Sequence, residues 1–491
     1  MTLPKDFSDR LSPMLVKELR QGLRTRTFTS AFLLLQAVLV FTMVVASAAG
    51  QASEVLDGFF WFFLGLALAF IMPLRGINAL SREQKENTLE LVSVTQLSAY
   101  RIVSGKWAAL FSQSLLLTIA VLPYVVLRYF FGGVNLLQDL VGLGFLLLIS
   151  STFTAFAVGI SAFRSILLRG LLFFAIGFLV FTGFQIIFTA VQFGGVIPST
   201  LVSGSSIILP SLIFVFVVGV FFTFYFIAMG ASRIAAVSEN YSTTKRLLSL
   251  VALILTLLLP LIGINEELCL GFAIVILTPV LIDALTEKAA VSRIVLRNFV
   301  NSRFLPARAA YFLAPGWHTG IFYFLIAAAI FFIASVTFLF PATTHEENFY
   351  WALITYFSAL AFPMLLIHLS RRPTDSAFKT FIIIQMVCSC LTAIIAMPTA
   401  ILGTDTFLWA LFFLPHTSFV LLMESAGAAP LIGSFQAVII IGTVIVSALR
   451  ARPLYNQMSS IMSELKTNSQ SPTDNDSAQS DSPSDMQHSP T

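Results

Sequence analysis

"DGFFWFFLGLALAFIMPLRGINALSREQKENTLELVSVTQLSAYRIVSGKWAAL", Asp57 to Leu110, sets an apolar run, a charged run and a second apolar run end to end. Bilayers are crossed by helices of roughly 20 apolar residues, and both flanks fit that length. The middle holds seven charges: Arg82, Glu83, Lys85, Glu86, Glu90, Arg101 and Lys106. Each costs about 2.5–3.5 kcal/mol at a bilayer centre, so this stretch stays out of the membrane. Helix, polar loop, helix is the reading.

The rest of the chain follows the same pattern. Of 491 residues, 57% are hydrophobic and only 11% charged, where soluble domains carry about a quarter charged. Lipid gives unpaired backbone groups no partner, so spanning segments are helices or closed barrels. Alternating ten-residue strands are absent, which leaves an all-α, polytopic transmembrane helical protein. About 12 spans are expected, near 29–50, 57–74, 107–127, 139–162, 171–193, 209–231, 247–264, 268–286, 319–341, 349–370, 380–400 and 431–449. Alternate loops then hold 27 of the 28 Lys and Arg residues, Arg128 being the exception. The opposite loops carry Glu54, Asp57, Asp139, Glu266, Glu267, Glu346 and Glu347. Basic loops stay inside, so the expectation is a multi-pass protein of a cell (inner) membrane with both termini cytoplasmic. The net charge of +4 belongs to this topology, and no nucleic-acid partner is expected.

The layout repeats. Loops 75–106 and 287–318 are of similar length, and spans starting near 107, 139 and 171 recur near 319, 349 and 380. Two six-helix halves in one orientation result, 29–231 and 247–449, with a linker at 232–246; parallel repeats are common among transporters. One apolar stretch stands outside this scheme. "TDTFLWALFFLPHTSFVLLMESAGAAP" (Thr404–Pro430) is interrupted by Pro415-His416 and ended by Glu424 and Pro430, which suits a helical hairpin better than a thirteenth span. From about 456 the chain turns Ser-, Asp- and Pro-rich, and 456–491 is expected to be a disordered cytoplasmic tail.

Chemistry is scarce. Cys269, Cys388 and Cys390 lie in apolar segments as packing residues, and the five histidines are scattered. There is no H-E-x-x-H, no nucleophile elbow and no phosphate loop: Gly105-Lys106 lacks the upstream glycine and the following Ser or Thr. No enzyme activity, cofactor or metal is expected. Acids near mid-span, which a proton-driven carrier needs, are almost absent. Asp283 and His368 fall near span ends, and Gln36 and Gln185 are suited to bonds between helices.

Two polar segments are helical by pattern. In "LSPMLVKELRQGLRTRTF" (Leu11–Phe28), Ser12 is a cap and Pro13 suits the first turn. Leu15, Leu19 and Leu23 form one face, with Lys17, Arg20, Arg24 and Arg26 elsewhere, the pattern of an interfacial helix. In the charged loop, Ser81 and Gln84 make a capping box. Leu89, Leu91 and Val92 give an apolar side, Thr95–Ser98 breaks the helix, and Ser98 is placed to cap the next one.

Those residues carry a resemblance. Arg82-Glu83, Glu86-Asn87-Thr88-Leu89-Glu90-Leu91, Thr95-Gln96-Leu97-Ser98, Ile102-Val103 and Gly105-Lys106 are similar to the signature of ATP-binding-cassette (ABC) exporter permeases of type 2. The likeness is strongest over residues 12–231. Asn87 stands where the family usually has glycine, and Gln96 where it has proline. The resemblance implies an amphipathic connecting helix over residues 1–28, six spans per half and a re-entrant hairpin before the last. It implies that the 81–97 segment is a coupling helix, docking on a separate nucleotide-binding ATPase subunit. Glu83, Glu86 and Glu90 would then be polar contacts and Leu89 and Leu91 packing anchors, with Thr88 and Leu97 in the same coupling set. The second-half loop lacks this series, although Val291, Ile294, Val295 and Phe299 suit an amphipathic helix. Membrane lipids and an unidentified transported substrate complete the expected partners. A secondary transporter, or a non-transporting scaffold derived from a permease, are the alternative readings.

Overall fold

The structure is a computed structural model. It describes residues 13–49, 54–81, 98–131, 136–173, 176–177, 205–236, 238–262, 266–289, 291–302, 306–339, 346–370, 377–402, 406–424 and 426–470. Among these, eleven helices are long and apolar enough to cross a membrane, and no strand occurs. They coincide with eleven of the twelve expected spans. The remaining one, about 171–193, lies largely outside the described residues. The protein is an all-α, multi-pass membrane protein.

In chain order the helices are α1 (Pro13–Leu23), α2 (Arg26–Ala49), α3 (Glu54–Gly65), α4 (Ala99–Phe131), α5 (Leu136–Ile160) and α6 (Ser205–Ile234). There follow α7 (Ser242–Leu258), α8 (Glu266–Thr286), α9 (Arg293–Asn301), α10 (Trp317–Ala334) and α11 (Glu346–Leu369). The last are α12 (Ala377–Leu402), α13 (Thr406–Ala410), α14 (Pro415–Glu424) and α15 (Ala429–Gln470). The chain divides into two compact units, Met1–Val280 with Ile333–Pro341, and Leu281–Phe332 with Ala342–Thr491. This line falls later than the expected break between 231 and 247.

In the first unit α3 does not stop at Gly65. It passes through a π-helical stretch, Leu66–Ile71, into Met72–Leu74 and a 3-10 turn, Arg75–Asn78. Pro73 has no N–H to give and its ring crowds the carbonyl four residues back, so the wider turn forms where the ladder must yield. Side by side, α5 and α6 approach closely. A Cβ on Gly159 would lie 2.7 Å from the Phe226 carbonyl oxygen, and one on Gly230 2.9 Å from the Gly159 Cα. Thr152 strengthens the seam by donating to the Gly219 carbonyl at 3.0 Å. Small residues and hydroxyl bonds drive helix association in lipid. Gly159→Val is therefore expected to cost about 1–3 kcal/mol by overpacking. Gly144→Val on the same helix, where a Cβ meets nothing, should cost little; unfolding of both variants in detergent compares them.

The unit inverts the polarity of a soluble protein. Leu33, Leu34, Phe41 and Phe130 are exposed, while Gln113, Ser114, Ser150 and Thr154 are buried. Arg128, the lone basic residue of its side in the sequence reading, is also buried. Its guanidinium pairs with Asp57 at 2.8 Å and Asp139 at 3.2 Å, and lies 4.2 Å from the Phe60 ring centre. Three charges from α3, α4 and α5 thus close one end of the bundle.

In the second unit α11 packs along α15, and a Cβ on Gly433 would collide with the Trp351 ring. The Thr404–Pro430 stretch forms two short helices, α13 and α14, meeting at residues 411–414. The joint is tied from below by one amide. Gln436 accepts from Ser358 at 2.7 Å and donates to Ser418 at 2.7 Å and to the Phe412 carbonyl at 3.2 Å. The C-terminal end departs from expectation. Residues 456–470, read as the start of a disordered tail, continue α15 as helix; 471–491 lie outside the described residues. Met458 and Met462 are buried there against Val295, Leu296 and Phe299 of α9. Ile294, expected on that face, is 58% exposed, and Leu296 takes its place.

Candidate functional site at the base of the 82–97 loop

Only the two ends of the charged segment are among the described residues. Glu83, Glu86, Thr88, Leu89, Glu90, Leu91 and Leu97 lie outside the described residues, as does Gln84 of the expected capping box. Ser81 is buried, and its hydroxyl donates to the Asn78 carbonyl at 3.3 Å.

The segment leading into the loop is pinned at three places. Arg75 donates to the Gln113 side-chain oxygen on α4, to the Gly22 carbonyl at 3.1 Å and to the Thr25 hydroxyl at 2.9 Å. Its guanidinium also lies 5.5 Å from the Phe28 ring centre. One cation thereby gathers α1, α2 and α4 around the end of the second span. Further on, Arg169 donates to the Ile77 carbonyl at 3.2 Å, and the Leu80 N–H donates to the Ser161 hydroxyl at 3.0 Å. A buried backbone N–H needs such a partner, since helices end with unsatisfied groups.

The segment leading out is held by a part of the chain some 140 residues away. Ser98 was expected to cap α4 with its side chain. Its carbonyl accepts the Arg101 and Ile102 N–H groups at 3.0 and 3.3 Å, but the capping carboxylate is Glu239, which accepts the Ala99 N–H at 3.2 Å. An anion at a helix N-terminus meets the positive end of the helix dipole. Tyr241 completes the cap: its phenol donates to Glu239 at 2.6 Å and accepts the Tyr100 N–H at 3.2 Å. Burial, and then the adjacent Glu239 carboxylate, raise the Tyr241 pKa above its ordinary value, so the phenol keeps the proton it donates. Asn240, between them, accepts the Thr243 N–H at 3.2 Å at the start of α7. The expected linker 232–246 is thereby reduced to 235–241, because α6 continues to Ile234 and α7 begins at Ser242. Its short span does two capping jobs.

Both ends of the loop meet in one apolar core. Leu80, before the loop, and Ala99, after it, pack with Ile102, Val103, Ala155, Val158, Ala162, Ile227 and Ala231. Beside this core Lys106 pairs with Glu18 of α1 at 3.1 Å, the lysine only 5% exposed. The connecting helix was expected to lay its cations on lipid phosphates. Lys17, Arg20, Arg24 and Arg26 are exposed, and its Glu18 ties the helix to the lysine of the Gly105-Lys106 pair, a contact that needs the tertiary fold. Burying an amine is costly unless it is paired, and this pairing fixes α1 across α4.

No protein-family model, curated protein or solved structure matches the chain.

Among the described residues, no group of three His, Cys, Asp or Glu could hold a metal. Hydrogen bonds hold the chain on both sides of residues 82–97, Leu80 to Ser161 and Ala99 to Glu239.

Proposed function

We propose that the protein is the membrane-spanning permease subunit of an ATP-driven ABC exporter, coupled through residues 81–97 to a separate ATPase subunit. The observation that carries this reading is the double anchorage of the loop, Leu80–Ser161 on one side and Glu239–Ala99 on the other. A loop resting on lipid needs no such mount; a lever does. The resemblance of Glu86–Leu91 and Thr95–Ser98 to the exporter signature supplies the partner's identity in this reading. Coupling is then a population shift, since a partner biases a permease only through contacts that differ between its states.

In this reading the protein sits in a cell membrane with both termini cytoplasmic and exports its substrate. The two halves engage the ATPase unequally. In the second half the apolar face of α9 is already covered by Met458 and Met462, and Arg293 of α9 pairs with Glu464 of α15. The first-half loop therefore carries the main contact.

The test is native mass spectrometry of the gently solubilised complex. Co-purification with a Walker-motif ATPase is expected, and Glu86→Lys combined with Leu89→Asp should abolish it while the permease remains folded. Recovery of the wild-type chain without any nucleotide-binding subunit would refute the reading.

A further inference from the structure

In the second unit α11, α12 and α14 enclose a cleft of about 480 Å³, within the roughly 300–1,000 Å³ range of small-molecule sites. Its lining looks mixed in sequence: Thr355 from α11, Ser389 and Thr392 from α12, and His416 from α14 sit among alanines and Phe419. The Thr355, Ser389 and Thr392 hydroxyls, however, are already committed. Thr355 donates to the Trp351 carbonyl at 2.9 Å, and Ser389 to the Gln385 carbonyl at 2.9 Å, each within its own helix. Thr392 bonds Thr417 at 3.0 Å, which also staples α12 to α14. Ala359, Ala393 and Ala396 supply the concavity, with Phe419 and Val420 as apolar wall.

Two polar groups remain in the lining, the Tyr356 phenol and the His416 ring, whose Nδ1 is buried without a hydrogen bond, too few for a sugar or an ion. A bound water needs two to four polar partners, and a sugar or ion needs more. The walls are also held in place before anything binds. Gln436 fixes the Phe412–Ser418 joint and Ser358 on α11, while the Thr392–Thr417 bond fixes α12. Preorganised walls spare a ligand the ordering cost. Both α11 and α12 are of membrane-spanning length and hydropathy, so the medium beside the cleft is made of acyl chains.

We propose that this cleft is a binding site for one hydrocarbon chain of a membrane lipid, recognised by shape and apolar surface. It involves no nucleotide and no ATPase, so its failure and the failure of the coupling reading are separable.

The full-length protein, reconstituted in phosphatidylcholine vesicles containing phosphatidylcholine with a diazirine on one acyl chain, is irradiated and its peptides mapped. Label should concentrate on residues 389–396 and 415–420, above the level on the exposed Leu33–Phe41 face of α2. Ala393→Trp fills the cleft and should reduce that excess to the α2 level, with α2 labelling unchanged. Ala396→Leu, a smaller filler, carries the same test should the tryptophan variant fail to fold. Ser389→Ala should leave the label intact, because its hydroxyl is spent within the helix. Equal labelling of cleft and α2, unaffected by either filler, means annular lipid only and overturns the proposal. So does loss of label in Ser389→Ala, which would mean polar recognition.

Discussion

Arg128→Met is expected to destabilise the protein by about 3–5 kcal/mol, the usual cost of removing one partner from a buried ion pair. Asp139 is 1% exposed and Asp57 about a fifth exposed. Without the guanidinium two carboxylates face each other at the end of the bundle, one of them with no access to water. The Phe60 and Trp61 rings, which present negative faces to the cation, would then face carboxylates. The double variant Arg128→Met with Asp139→Leu should recover most of the loss, because replacing a buried pair by apolar residues is often neutral. Denaturant unfolding in detergent, monitored by tryptophan fluorescence, separates the two. A single variant as stable as wild type would mean that the three charges do not close the bundle as described.

The second expected result concerns the mount. Removing the Glu239 cap, with Glu239→Ala and Tyr241→Phe together, deletes the Ala99 N–H bond to a charged acceptor, worth roughly 1.5–3 kcal/mol. At 1.4 kcal/mol per factor of ten, local opening of the first turn of α4 becomes about 10- to 100-fold more frequent. Hydrogen exchange of the Ala99–Ile102 amides measures this directly, with the α5 amides 153–160 as an internal reference that should not change. Exchange at wild-type rates would remove Glu239 as the cap. Under the proposed coupling to an ATPase, the same variant should still bind the partner but transmit less, so substrate-stimulated ATP turnover falls while co-purification persists. That pattern differs from the Glu86/Leu89 variant, which is expected to lose the partner altogether. The contrast separates a broken contact from a loosened lever.

The spans were legible because a crossing helix announces itself by a quantity summed over some twenty residues. Errors of a few residues do not move such a sum, and eleven spans fall where hydropathy puts them. The broken Thr404–Pro430 stretch was legible for a different reason: Pro415 suits the first turn of a helix and biases the residue before it away from helix, and α14 begins there. The tail was misjudged at its start. Averaged over 456–491 the composition is polar, yet Met458, Ile461, Met462 and Leu465 recur at helical spacing, and that local period was the usable signal. In α9, Leu296 replaces Ile294 in the core because one residue turns a helix by about 100°, and the face that is buried depends on where Met458 and Met462 lie.

The anchorage of the loop was not legible. Nothing near Ser98 in the sequence announces that Glu239 will cap α4, and nothing near Glu18 names Lys106 as its partner. Arg128, Asp57 and Asp139 were each singled out by their side of the membrane, but not as one cluster. Hydropathy, helix breaks and the distribution of basic loops come from interactions with solvent or with chain neighbours, so the sequence alone determined an all-helical membrane protein with a charged excursion after its second span. Which carboxylate caps which helix, and which face of a short helix is covered, are pairings between distant residues. Their energy exists only once the helices have packed, and the tertiary structure alone decided them.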